Sequence, residues 1–153
     1  MRLTRFSDLG LRLLMQLGDY SRGLVTPVDR RSTVANLAVD INASEAHVAR
    51  VVAKLAELGV VRSVRGRAGG VYLQEEAEAL SVGAVLRQLE GRGEVINCKE
   101  PACPYAARDC LLRHRLAAAQ EAFFASLDDF TVAELLRDTQ VKTAVALGMP
   151  SPT

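Results

Sequence analysis

Residues 44–73, SEAHVARVVAKLAELGVVRSVRGRAGGVYL, decide how the rest of the chain folds. Ser44 is a good helix N-cap, and Glu45 sits in the first turn, where a carboxylate favours the helix dipole. Val48, Val51, Val52, Leu55 and Leu58 then recur at helical spacing, and Gly59 suits the left-handed position just past a helix end. The opposite face carries His47, Arg50 and Lys54. The β-branched run Val60–Val64 and the short Val71-Tyr72-Leu73 predict two strands. Between them lies Arg65-Gly66-Arg67-Ala68-Gly69-Gly70, a loop loosened by glycine and carrying two arginines. Taken alone, His47, Arg50 and Lys54 are an ordinary solvated face. A basic hairpin directly after the helix changes that weighting, because its arginines can enter a narrow minor groove or grip phosphates. No helix N-terminus follows the glycines, so a nucleotide-binding phosphate loop is disfavoured.

Upstream, Thr33–Val39 predicts a short helix, and the turn Asp40-Ile41-Asn42-Ala43 joins it to the helix starting after Ser44. Two helices with a tight turn, followed by a hairpin, make a winged helix-turn-helix. The residues expected on DNA are Ser44, His47, Arg50 and Lys54 from the second helix, and Arg65 and Arg67 from the wing. Before these elements, Thr4 caps a helix running to about Asp19, with Phe6, Leu9, Leu13, Leu14 and Leu17 on one face. Asp8 and Arg12 lie one turn apart on another face. Their ordinary reading is a surface ion pair worth a few tenths of a kcal/mol; a carboxylate reserved for another partner is the alternative.

Past the wing, Glu75–Leu80 is an acidic connector, and Ser81 caps a helix with Val82, Val85, Leu86 and Leu89 on one side, ending at Gly91. A long helix is predicted from about Ala106 to Leu127. Its seam of Leu112, Leu116, Ala119, Phe123 and Leu127 is narrow, as in a helix–helix contact with a partner chain. Thr131 and Glu134 form a capping box for a last short helix. The expected fold is mainly α with a small β wing. It divides into a winged-helix DNA-binding domain (1–80), a loop and dimerisation helix (81–138) and a tail (139–153).

The totals agree with this division. The 153 residues suffice for one domain with an appended oligomerisation element. The net charge of +1 hides an asymmetry, with +5 over residues 1–67 and −4 over residues 68–153. A basic front half fits a nucleic-acid contact made by that half alone. No apolar run approaches the ~20 residues of a membrane span, and Arg5, Asp8 and Arg12 interrupt any signal-peptide core. A cytoplasmic protein is expected. Nothing pairs a nucleophile with a base, so no catalytic residues and no enzyme activity are expected.

All three cysteines, Cys98, Cys103 and Cys110, fall within the polar, turn-prone segment Asn97–Cys110. In a reducing compartment, that clustering favours metal or redox chemistry over a disulfide framework. The spacing Cys-x4-Cys-x6-Cys leaves three chemistries open. Structural zinc prefers shorter knuckles and four ligands. A thiol switch needs only two of the three cysteines. An iron–sulfur cluster tolerates long loop spacings and a non-cysteine ligand. Glu100 and Asp109 are further oxygen donors nearby, and Lys99 and Arg108 nearby cations; all four are ordinarily solvated loop charge.

The start MRLTRFSDLGLR (1–12), the wing VRGRAGGV (64–71), the segment Val95-Ile96-Asn97-Cys98 with Cys103 and Cys110, and the stretch Leu127–Leu136 resemble the iron–sulfur winged-helix regulator family. The resemblance spans roughly residues 1–138 and is strongest to the nitric-oxide-sensitive repressors (NsrR), with the cluster-assembly regulators (IscR) a second branch. It implies a homodimeric repressor on double-stranded operator DNA, with an iron–sulfur cluster, 4Fe-4S rather than 2Fe-2S, on Cys98, Cys103 and Cys110. It further implies that Asp8 of the partner subunit is the fourth ligand, and that nitric oxide attacking the cluster releases the protein from DNA. In the cluster-assembly branch the fourth ligand is a histidine shortly after the third cysteine. Here Arg113 holds that offset and His114 follows, so His114 is the alternative ligand. A cluster-assembly or redox-responsive regulator, and a structural zinc protein built on the winged helix, are the competing functions.

Overall fold

The computed structural model of the chain describes residues 2–23, 31–66, 69–91 and 93–137. Arg67 and the tail 139–153 lie outside the described residues. Helix α1 (Arg5–Ser21) starts at Thr4, whose Oγ1 accepts from the Ser7 N–H at 3.3 Å. Its stripe of Leu9, Leu13, Leu14 and Leu17 is buried. Burying each such side chain is worth about 1.5–3 kcal/mol, so this face makes α1 the centre of the core. Asp8 and Arg12 lie off the stripe, paired at 3.0 Å.

Helix α2 (Val34–Asp40), capped by Thr33, turns through Asn42 in the left-handed region into α3 (Glu45–Glu57). Val48, Val51, Val52 and Leu55 face the core, and Gly59 ends the helix at φ 71°. Strands β1 (Val61–Val64) and β2 (Gly70–Leu73) pair antiparallel, with Val61 opposite Leu73 and Val64 opposite Gly70. The wing is tied to the segment before α2 from both sides of one residue. The Val71 N–H donates to the Ser32 carbonyl at 2.8 Å, and the buried Ser32 hydroxyl donates to the Val71 carbonyl at 2.5 Å.

The acidic connector forms a 3-10 turn, Glu75–Ala79, and Ser81 caps α4 (Val82–Glu90). The first-turn N–H groups of α4 find partners outside the helix. Val82 donates to the Phe130 carbonyl at 2.8 Å and Gly83 to the Leu127 carbonyl at 3.1 Å, satisfying two donors a helix start leaves orphaned. Thr131 and Glu134 make the expected capping box, with the Thr131 N–H on Glu134 Oε2 at 2.8 Å and the Glu134 N–H on Thr131 Oγ1 at 3.2 Å. Residues 132–137 are helical. The hydrophobic core runs on past residue 80, because Val82, Val85, Leu86, Leu89, Phe124, Val132 and Leu136 join the same cluster as the α1 stripe.

The long helix is shorter than its apolar spacing predicts. Helix α5 spans Leu111–Ala125 rather than starting near Ala106. Residues 103–108 instead take tight turns, with Ala106 N–H on the Cys103 carbonyl and Arg108 N–H on the Tyr105 carbonyl, both at 3.0 Å. Within α5 only Phe124 is buried, and its ring meets Phe123 edge-on at 5.6 Å. The expected seam is largely uncovered: Leu112 is 61% exposed and Phe123 37%.

Two features join α4 to α5. A Cβ at Gly83 would lie 2.5 Å from the Phe124 carbonyl oxygen, so only glycine permits this approach. The Arg87 guanidinium then forks between two carboxylates, Nη1 to Asp128 Oδ1 at 2.6 Å and Nη2 to Glu121 Oε1 at 2.6 Å. The Arg87 hydrogen bond holds the Asp128 carboxyl below the usual carboxylate range, and the Thr131 N–H does the same for Glu134. Gly83→Ala should destabilise the fold by about 1–3 kcal/mol, because backbone cannot yield to the added methyl; chemical unfolding checks this, and a wild-type midpoint contradicts it. A carboxylate with a depressed folded pKa stabilises above its unfolded value, near about 4, and that contribution is lost as pH falls through its folded value. Stability should therefore drop below about pH 4, and Asp128→Asn should flatten part of that acid limb in urea unfolding followed as pH is lowered.

Candidate functional site

The helix-turn-helix places its cations unequally. His47 and Arg50 are exposed on α3, as the spacing predicts. Lys54 is half-buried, with its ammonium 3.1 Å from Glu57 Oε1, so it is partly neutralised within the helix. Ser44 is exposed but engaged twice by His47: its Oγ accepts from the His47 N–H at 3.4 Å and lies 2.7 Å from Nδ1. Arg65 is exposed at the wing, where Gly66 takes φ 104°. The strand register adds a cation that spacing alone does not single out. Arg62 on β1 pairs with Tyr72 on β2, and its guanidinium lies 4.8 Å from the ring centroid, a contact that holds an exposed charge in place. Only the pairing of the strands reveals it.

The cysteine segment hangs between α4 and α5. The Asn97 side chain organises its start, with Oδ1 accepting from the Lys99 N–H at 2.9 Å and the Glu100 N–H at 3.1 Å, an Asx-type turn. The Cys103 N–H then donates to the Cys98 carbonyl at 3.1 Å. Cys110 occupies the N-cap of α5 without using its side chain as a cap. All three thiols are free and half-buried. Partial desolvation first, then neighbouring Cys103, Glu94 and Cys110, hold the Cys98 thiol above its ordinary pKa, while Arg113 opposes them.

As donors, three free sulfurs on one short segment suit a thiophilic metal group. They are not pre-assembled around one point, since among the described residues no three His, Cys, Asp or Glu side chains form a cluster able to hold a metal ion. Three of the other candidate donors and their neighbours are engaged elsewhere. Asp8 is half-exposed and paired with Arg12. His114 Nε2 bonds to Asp109, and Arg113 bonds to Glu94. Glu100 is exposed, its backbone N–H held by Asn97.

One further contact ties the cysteine segment to the DNA-binding half. Glu90 ends α4, just before the segment, and its Oε1 accepts from the Thr4 N–H at 2.7 Å and the Thr4 Oγ1 at 3.1 Å. Glu90 thus braces the start of α1, the helix bearing Asp8. Since α1 also packs on α3 and β2, one chain of contacts joins the cysteine root to the recognition helix. Sequence gives no hint of this, as the partners are 86 residues apart.

Comparison with known proteins adds to this geometry. A family model described as Rrf2, iron-dependent transcriptional regulator, matches residues 3–138. The chain is 40% identical over 137 residues to the HTH-type transcriptional repressor NsrR of Streptomyces coelicolor, covering 89% of this chain and 88% of that protein. Among solved structures, T. potens IscR superposes with a TM-score of 0.64 at 21% identity, covering 90% of this chain and 88% of that one. CymR, the global cysteine regulator of B. subtilis, superposes with a TM-score of 0.62 at 22% identity, covering 90% and 98%. These two show the shared winged-helix fold. No described helix is long and apolar enough to cross a membrane. The match over nearly the whole described chain shows that it belongs to the Rrf2 family of iron-dependent transcriptional regulators and is not an enzyme.

Proposed function

We propose that the chain is a homodimeric, nitric-oxide-sensing transcriptional repressor holding an iron–sulfur cluster on Cys98, Cys103 and Cys110. The observation that carries this reading is the confinement of every thiol in the chain, free and half-buried, to one segment leading into an uncovered helix. The exposed Leu111, Leu112 and Phe123 of α5 support a dimer made through that helix, and two-fold symmetry suits a palindromic operator. When bound, the cluster, 4Fe-4S in preference to 2Fe-2S, supplies iron that nitric oxide can attack.

The chain's own residues do the rest. His47 and Arg50 meet the major groove, with Ser44 and Lys54 at the edges of that surface, while Arg65, Arg67 and Arg62 grip the backbone or minor groove at the wing. Asp8 of the partner subunit completes the ligand set. Its carboxylate leaves Arg12 to do so, which makes the position of α1 depend on the state of the partner's cysteine segment. Glu90 and the α1–α3 packing carry that dependence to α3. A differential stability of a few kcal/mol between the two arrangements is enough to switch the DNA-bound population. As a regulator of transcription, such a protein acts in the cytoplasm on double-stranded DNA.

The test is anaerobic purification followed by titration with nitric oxide, using a duplex selected by the protein from a randomised pool. Brown protein with stoichiometric iron and sulfide, bound to the duplex and released by nitric oxide, is the expected result. Undiminished binding after nitric oxide contradicts the sensor reading, and colourless zinc-loaded protein contradicts the cluster. Asp8→Ala should strip or alter the visible absorption strongly, whereas His114→Ala should leave it; the opposite pattern assigns the fourth ligand to His114. Leu112→Glu should shift the protein to monomer in sedimentation and weaken operator binding at least tenfold, since half a palindrome is then held by one subunit.

A further inference from the structure

The N-cap of α3 fixes a proton as well as a helix end. The Ser44 hydroxyl has one hydrogen and two acceptor sites. One acceptor site takes the His47 N–H at 3.4 Å, and His47 Nδ1 lies 2.7 Å away. Among the described residues the Ser44 hydroxyl makes no other side-chain hydrogen bond. Donating its hydrogen to Nδ1 uses both groups fully, and the neutral ring must then carry its own proton on Nε2. His47 is exposed, and Nε2 points to no partner among the described residues. It sits in the first turn of α3, the part of a recognition helix that reaches base edges.

We propose that Ser44 is a positioning residue that holds His47 as an Nε2–H donor, and that His47 thereby selects a purine N7 acceptor in the major groove. This rests on the reading that α3 enters that groove, and it gives Ser44 a role other than touching DNA. The major-groove edge distinguishes the two possible tautomers. A donor on Nε2 matches acceptors, namely N7 and O6 of guanine, N7 of adenine and O4 of thymine, of which N7 is the one common to both purines, whereas an acceptor there would match the exocyclic amino groups of cytosine or adenine. Arg50, one turn on, is a permanent donor whatever Ser44 does.

Two measurements test it. On the full-length protein with the ring neutral, long-range proton–nitrogen correlation should show Nε2 protonated and Nδ1 bare. Ser44→Thr, which keeps the capping hydroxyl, should retain that pattern, and Ser44→Ala should mix the tautomers. A ring protonated on Nδ1 overturns the proposal. Next, purines in a duplex selected from a randomised pool are replaced one at a time by their 7-deaza analogues. One replacement per half-site should weaken wild-type binding about 2- to 12-fold, the worth of one hydrogen bond, and cost His47→Ala nothing further. Equal penalties in wild type and His47→Ala overturn it. Wild-type protein that binds no duplex at all would instead overturn the DNA-binding reading beneath it, so the two failures are distinguishable.

Discussion

The close approach of other elements to helix α1 is the constraint on which the rest of the molecule depends. A Cβ at Gly10 would meet Leu89 Cδ1 at 2.6 Å, and one at Gly18 would meet Leu136 Cδ2 at 2.3 Å. Those two gaps let α4 and the closing helical residues press against α1 on one side while α3 and β2 pack on it elsewhere. The leucine stripe of α1 is therefore shared between the DNA-reading elements and the elements that carry the cysteines. Interiors packed to crystal-like density transmit small displacements rather than absorb them. A displacement of α4 is therefore passed through α1 to α3.

The outward side of the same helix carries Asp8 and Arg12, and its N-terminus is braced by Glu90. The ion pair is solvent-exposed, so it is worth little and costs little to break. The cysteine segment has a matching character. Its backbone is shaped by Asn97 and by tight turns, yet its thiols are not gathered, and ion pairs at its two ends join it to the start of α5: Asp109 with His114, Glu94 with Arg113.

Much of the fold was legible locally. Thr4, Ser44, Ser81 and Thr131 each cap the helix that follows, because a cap is a bond between residues three apart and needs no knowledge of the rest of the chain. The wing was legible for the same reason, through β-branched runs bracketing glycines. The start of α5 was not, because apolar spacing continued back through residues that the turns at Cys103 and Tyr105 claim instead. Spacing put Phe123 on the outward seam, where the structure leaves it uncovered, but it did not say that Phe124 beside it is buried, packed beneath Arg87 of α4.

By itself, then, the sequence determined the order and type of the main helices and strands, where the basic face lies, and that the thiols share one segment. Each of these follows from short-range spacing, capping and composition. The tertiary structure alone decided that Lys54 is tied to Glu57, that Arg62 is stacked on Tyr72, that Arg87 clamps α5 to α4, and that Glu90 reaches back to Thr4. The Arg62 contact depends on the pairing of the two strands, and those of Arg87 and Glu90 join residues far apart in the chain, whose meeting depends on how helices pack. Lys54 reaches Glu57, three residues on, only in the folded helix. No pattern of spacing encodes the Arg87 and Glu90 contacts, because both are fixed only once the shared core around α1 has set the elements at their final distances.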